Sequence, residues 1–570
     1  MEVTQRPDAV VIGAGAGGAA VAWRLCHHGL NVLMLEAGPR FDPAQDYKLH
    51  QPDWERYPFP SPSGSQGDFS IAPLASLDPI KEDLLSWNSV IGRMNRENTR
   101  QPKGAGYSHV QGVGGTTLHF VGESHRLHSK TMKLQSDFGV GSDWAIDYAD
   151  IEPYYTLCEE LIGVAGPKER QSGRWRSKGF PLPPHPLSPS STRLAAAGNR
   201  LGMSWQENSR AALSVPYDGR PACNYCGNCN RGCPLRDKGS ADVTFIQKAE
   251  ASGKLVIKSN CPVVKIHTTS DGRIKAIDYL DKETLERVET PLLIVAAGAV
   301  QTPRLLLANS NSHHSGGLAN SSGQVGRNFM ESLGWNSTGL LPDLSNSHVG
   351  LQSDAICWDF NAPDAIPDVI GGCRFNSSTT EIGFNGPIHY ASRVVAGFGK
   401  QLKDGVRKSF GSAMSVGAIG EFLPNEGTYI DLDPNKKNAM GIPYARIHSQ
   451  PGDAEIKRLR FMAEQCRRLL KEAGAELVEE FGTYDYFSAS HVFGTCRMGN
   501  KSSTSVVDAN CRSHDHPNLY ITDGSVFPSS GGGESPSLTI QALAVRAADV
   551  IANNETLAPS IPLSERSTEK

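Results

Sequence analysis

No apolar run in this 570-residue chain approaches the ~20 residues that a membrane-spanning helix needs. There is no basic run either, and the net charge is -4, so nucleic acid is not an expected partner. The opening MEVTQRPD lacks the basic and apolar regions of a signal peptide. A cytoplasmic location is therefore expected, or a periplasmic one only if a signal-bearing partner carries the chain. Cysteine is scarce, 12 residues with four crowded into one run, which argues against a secreted disulfide framework. No internal repeat is visible. What is present is ordinary globular composition, 39% apolar and 20% charged with mean hydropathy -0.35. A chain this long divides into two or more domains.

The stretch from Asp8 to Glu36 organises the rest. An apolar run (Ala9 to Ile12) reads as a buried parallel strand and is followed at once by Gly13-Ala14-Gly15-Ala16-Gly17-Gly18. A helix to about His28 and a second apolar strand, Val32 to Leu35, lead to Glu36. In this pattern Gly13 permits the tight turn, Gly15 lets a pyrophosphate approach the backbone, and Gly18 lets helix and strand pack closely. The helix N-terminus offers unpaired N–H groups to phosphates, and Glu36 is placed to accept from a ribose 2′-OH. Strand, glycine turn, helix, strand and acid in this order predict a dinucleotide site, where a lone glycine motif would not.

Further along, the chain is loop-rich to about Gly106, then glycine-dense again over Gly104 to Arg126. Glycine beside Thr116, Thr117 and His119 suits a backbone wrapped around a flat ligand, or alternatively a surface loop. The run Asp143 to Val164 predicts a helix opened by Asp150 and running from Ile151. A proline-rich connector spans Pro181 to Pro189. The segments Leu255 to Thr269 and Arg273 to Thr290 read as short antiparallel strands. Pro291 to Ser310 repeats the opening logic, with its helix expected to start at Thr302-Pro303. From Trp335 to Tyr484 strand-like segments (Thr428 to Leu432, Tyr444 to His448) surround one amphipathic helix, Asp453 to Ala473, and predict a separate sheet-rich domain.

Six segments together resemble the glucose-methanol-choline (GMC) oxidoreductases, a family of FAD enzymes. They are GAGAGG with Glu36, GVGGTTLHF with Arg126, GAVQTPRLLL, GQVGRNFM, SHVFGTCRMG, and VVDANCRSHDHPNLYITDGSVFP with SPSLTIQALAVRAAD. Within the family, EPYYTLCEELIGVAG and DLDPNKKNAMGIPYARI resemble the gluconate, fructose and FAD-dependent glucose dehydrogenases. The resemblance implies an α/β fold: a discontinuous Rossmann-like FAD-binding domain and a smaller α+β substrate domain built on an antiparallel sheet. The expected division is 1-335 for the first FAD-binding part, with insertions at 40-105 and 165-220. The substrate domain takes 336-484, the second FAD-binding part 485-556, and a polar tail 557-570. Carried over residue by residue, Gly13, Gly15, Gly18 and Glu36 would hold the ADP half, and Val263 would meet the adenine. Gly114, Gly115 and Thr116 would lie along the flavin, and Asp523 and Gly524 would contact the pyrophosphate and ribitol. His119 and His125 are candidates for a covalent link to FAD.

Oxidising an alcohol requires that a base take the hydroxyl proton while hydride leaves to flavin N5. Histidine suits the base because its unperturbed pKa sits near neutrality. His491, in SHVFGTCRMG, matches the family's catalytic histidine; the bland alternative is a core histidine at a strand end. The family's second catalytic residue, Asn or His before a proline, is here Ser535, before Pro536. Ser535 reads either as a substrate contact or as the N-cap of the last helix. Glu534 reads as a replacement catalytic partner or as a solvent-facing acid. That helix would point its positive end at the flavin.

The run PACNYCGNCNRGCP sets Cys223, Cys226, Cys229 and Cys233 at ferredoxin-like spacing. Three readings stand: an iron–sulfur cluster on three or four of them, plain structural thiols, or zinc. With a cluster, electrons would pass to a carrier rather than to oxygen. The expected function is oxidation of a CH–OH group in a sugar, sugar acid or other polyol, with an electron-carrier or chaperone-like subunit as protein partner. The alternatives are an oxidase or dehydrogenase of a bulky lipidic or sterol alcohol, and a flavin-holding lyase or binding subunit.

Overall fold

The computed structural model of the protein describes residues 6-57, 67-168, 171-312 and 314-553, and the tail expected at 557-570 lies outside them. A five-stranded parallel sheet is built from β1 (Ala9–Ile12), β2 (Val32–Leu35), β3 (Leu255–Lys258), β4 (Leu293–Val295) and β5 (Leu519–Ile521). Its order is β5-β4-β1-β2-β3, with every pair parallel. The central strands read AVVI, VLML and LIV and are buried throughout, as a sheet covered on both faces requires. Leu255 to Lys258, expected in an antiparallel set, instead pairs with β2 as a parallel edge strand. Only the following strands, Val263–Thr268, Ile274–Asp281 and Thr284–Glu289, form the antiparallel meander.

Helix α1 (Ala16–His27) leaves the glycine turn, and the last helix, Ser537–Asn553, packs along it. Against the last helix lies Tyr148–Ile162, which starts earlier than expected. Asp147 is the residue before its first turn, and Asp150 reaches back to accept the Asp147 N–H at 2.8 Å. Asp150 thus closes a capping box rather than opening the helix. The helix after β4 likewise begins at Gly298, not at Thr302. Gly298, at φ +86°, turns the chain directly out of the strand, and Thr302 lies inside the helix.

The second layer is an eight-stranded antiparallel sheet. Its middle consists of Glu476–Gly482, Leu333–Leu340, Ala413–Gly420 and Cys373–Ser377. Helix Asp453–Glu472 covers one face, burying Leu459, Met462, Cys466 and Leu469 against it. The outer strands, Trp87–Asn88 with Gly92–Arg93 and Trp205–Glu207, come from segments that sequence reading left in the FAD-binding part. A three-stranded sheet adds Phe69–Ile71 to Tyr429–Lys437 and Pro443–His448. Among the described residues no helix is long and apolar enough to cross a membrane.

Candidate active site

One cavity of about 600 Å³ runs between the two sheets, from Glu36 and Val263 at one end to His491 and Ser535 at the other. Backbone builds the first half. Gly13 turns at φ +96°, and a Cβ there would stand 2.5 Å from the Ala296 carbonyl oxygen. Gly15 and Gly115 meet across the cavity wall, where a Cβ on Gly115 would lie 2.6 Å from the Gly15 Cα. That groove is shaped for something thin passing over bare backbone, at the N-terminus of α1, as a dinucleotide pyrophosphate would. Thr116, Asp523 and Gly524 also line it. Gly18 and Gly114 stand behind the wall instead. A Cβ on Gly18 would fall 1.9 Å from the Gly13 oxygen, and the Gly114 N–H donates to the Ala14 carbonyl at 2.9 Å.

Glu36 ends β2 with both carboxylate oxygens engaged, accepting from the N–H groups of Ala14 at 2.8 Å and Gly38 at 2.9 Å. Burial raises its pKa to about 7, against the pull of those N–H groups. Further along, Asp523 accepts from Gly298 N–H at 2.9 Å and Thr302 Oγ1 at 2.6 Å, which ties β5 to the turn after β4. Burial raises its pKa too. These residues fit FAD: a bare-backbone groove, an acid at the end of β2, and a second acid beside the groove.

Side chains build the second half. His491 follows strand Tyr486–Ala489, with Nδ1 3.3 Å from Ser332 Oγ. Burial lowers its pKa to about 4; Glu123 opposes the shift and Arg374 adds to it. At neutral pH the ring is uncharged, which is the form a proton acceptor needs. Ser535 and Glu123 line the same end, and Ser535 Oγ donates to Glu123 Oε2 at 2.7 Å. Ser535 is therefore not the helix cap. The helix starts at Ser537 and its first i→i−4 bond runs from Ile540 N–H to the Pro536 carbonyl at 2.9 Å, which puts the cap one residue further on.

Glu534 is corrected more sharply. Its carboxylate is buried outside the cavity, accepting from Arg174 Nη2 at 2.7 Å and from His128 N–H at 3.0 Å. It braces the loop and faces neither substrate nor solvent. His119 lines the cavity, whereas His125 lies behind it. There His125 Nδ1 accepts from Ser535 N–H at 3.1 Å, and its Nε2 meets Asn208 Oδ1 at 2.8 Å. Both its nitrogens are occupied, so a covalent link there has no geometric support.

Sequence reading missed Glu123. Burial would raise its carboxyl, but the Arg374 guanidinium, with Arg210, holds it below the usual carboxylate range. An acid directly after Gly122 and three residues ahead of Arg126 was the available signal. Glu381 was missed as well; it lines the same end, accepts from Ser353 Oγ at 2.5 Å, and is raised by burial and by Glu123. Nothing in its neighbourhood, TTEIGF, singles it out.

The cysteine run does not form a metal site. Among the described residues no group of three or more His, Cys, Asp or Glu side chains is placed to hold an ion. Cys226 is exposed, Cys229 packs on Ala212 and Leu351, and Cys233 Sγ donates to Asp237 at 2.6 Å. Cys223 Sγ accepts from Tyr225 N–H at 3.4 Å. The residues as placed do not fit a cluster or zinc. The run acts as a loop whose Asn230 reaches the cavity rim.

Family models described as GMC oxidoreductase match residues 110-333 and 424-544, and one for an NAD(P)-binding Rossmann-like domain matches 11-44. The chain is 30% identical to the fructose dehydrogenase large subunit of Gluconobacter japonicus, over 97% of this chain and 98% of that one. It is 28% identical to the 2-methyl-1,2-propanediol dehydrogenase of Mycolicibacterium austroafricanum, over 95% of each. Pyridoxine 4-oxidase from Mesorbium loti shares the fold, with a TM-score of 0.60 at 17% identity, over 96% of this chain and 99% of that one.

Proposed function

We propose, from the premise that this chain belongs to the GMC oxidoreductase family, that it is an FAD-dependent dehydrogenase of a polyol, sugar or sugar acid. Oxidoreductases of this family act on CH–OH groups and generally bind FAD, which when bound accepts the two electrons and the hydrogen taken from carbon. The groove at Gly13, Gly15 and Gly115, with Glu36 and Val263 at its end, would hold the ADP half. Thr116 and Gly524 would flank the flavin half.

The observation that carries the reading is a half-buried, uncharged imidazole lining that cavity, opposite the glycine groove. In the tautomer whose Nδ1–H faces Ser332 Oγ, 3.3 Å away, Nε2 carries the lone pair. It takes the hydroxyl proton as the C–H bond breaks, and the alcohol carbon becomes a carbonyl. Polar acceptors at this end, Glu123, Glu381 and Ser535, support a hydroxyl-rich substrate over a lipidic or sterol alcohol.

The test is anaerobic mixing of the FAD-loaded protein with a polyol panel. Flavin absorbance is expected to bleach with at least one member, and bleaching with none while dithionite still reduces the flavin sinks the proposal. His491→Ala should retain FAD and lose about 10²–10⁴-fold in the rate of reduction. Unchanged reduction would remove the histidine from the mechanism and favour a structural flavin.

A further inference from the structure

Behind the substrate end lies a closed circuit of hydrogen bonds. Ser535 N–H donates to His125 Nδ1 at 3.1 Å, which fixes the proton of that neutral ring on Nε2. Nε2–H then donates to Asn208 Oδ1 at 2.8 Å. Asn208 Nδ2 donates to Glu123 Oε1 at 2.9 Å, and Glu123 Oε2 accepts from Ser535 Oγ at 2.7 Å. Arg374 anchors the circuit through Nη2 to Glu123 at 2.5 Å and through Nε to the Gly533 carbonyl at 2.7 Å. Every donor in the loop is committed in one direction.

The chemical consequence falls on Ser535. A serine hydroxyl has one proton and two lone pairs. Here the proton belongs to a carboxylate that the guanidinium keeps ionised, so toward the cavity Ser535 can only accept. Asn or His, which the family usually carries at this position, could donate. A single hydroxyl has one proton, and His491 takes it. Within the substrate, the donor that can meet the Ser535 acceptor is therefore another O–H. Left empty, that oxygen would be a desolvated acceptor without a partner, which costs binding.

We propose that Ser535 is the receptor for a second hydroxyl of the substrate, and that Glu123 is the positioning residue that fixes its acceptor polarity. The site thereby selects diols and polyols over mono-alcohols. The proposal rests on the reading of the cavity as an alcohol-oxidising site and adds a specificity determinant to it.

The experiment measures anaerobic flavin reduction by matched pairs: 1,2-propanediol against 1-propanol and 2-propanol, and 1,3-propanediol against 1-propanol. In the wild-type holoprotein the member with the extra hydroxyl should be better in kcat/KM by about tenfold or more. Ser535→Ala should collapse that ratio to within about twofold, chiefly through KM, while Ser535→Thr, which keeps the hydroxyl, restores it. Glu123→Gln should lower the ratio with Ser535 intact. A wild-type ratio near one overturns the proposal without any variant having to fold. So does a ratio that survives Ser535→Ala in FAD-loaded protein. Absence of reduction by every compound, with normal FAD content, is a different result: it removes the alcohol-oxidising reading, and the receptor role with it.

Discussion

The two ends of the cavity are built from different materials. At the Glu36 end, main chain does the work: glycines bring Gly15 and Gly115 to within one methyl group of each other, and N–H groups hold the acid. At the His491 end, side chains from residues 123, 125, 208, 374 and 535 are wired into one directed circuit. A backbone groove tolerates no added atom but carries no chemical preference beyond shape. A side-chain circuit tolerates changes in size and encodes which way each proton points. On the proposed reading, the first end would hold the family's cofactor and the second would separate one substrate from another.

That contrast can be broken most completely at Gly115. Gly115→Val places a branched side chain at φ +55° and against the Gly15 Cα, where even a Cβ would stand 2.6 Å away. We expect purified protein without bound flavin, measured as the ratio of visible to protein absorbance; full FAD occupancy would show that the groove is not the pyrophosphate path.

Glu534 sharpens the comparison from the other side, because it neighbours Ser535 in sequence but belongs to the scaffold. Glu534→Ala leaves the buried Arg174 guanidinium without its carboxylate, an expected loss of about 3–5 kcal/mol in urea unfolding. The diol-to-mono-alcohol ratio should not move. A changed ratio with unchanged stability would return Glu534 to the site.

The smallest effect is on pH. His491 has its folded pKa depressed from the usual 6.5 to about 4. Its stabilising contribution is therefore full above pH 6.5 and fades as pH falls toward 4, and the base itself stays unprotonated over the same interval. The acid limb of kcat/KM should lie near pH 4, falling about tenfold per unit below it. A limb near 6.5 would mean a solvated imidazole and an open substrate end.

The sequence makes the backbone end legible and leaves much of the side-chain end dark, for a physical reason. A strand, glycine turn, helix and acid are contiguous, so local spacing determines the groove. His491 is visible only through the surrounding motif. Glu123 owes its role to Asn208, Arg374 and Ser535, up to 412 residues away, and no local pattern announces that. Ser535 misleads because Ser-Pro before an apolar periodic run is how capped helices begin, yet the hydroxyl finds a carboxylate and leaves the turn to Pro536. In the fold, the strands at 87-93 and 205-207 escape because two or three residues are too few to display alternation. The cysteine spacing admitted a cluster, zinc or plain structural thiols, because spacing along a chain does not oblige thiols to converge in space.

β5 and the last helix complete a domain begun by β1 and α1. During synthesis the first 36 residues leave the ribosome long before residues 519-553, their neighbours in the finished molecule, exist. Until those residues arrive, one side of β4 has no partner strand and the apolar flank of α1 is bare, so the nascent protein must wait, nearly complete, with its interior open. Flavin available at that stage would meet half a cradle, and retention of the cofactor becomes a report that the far end of the chain has come home.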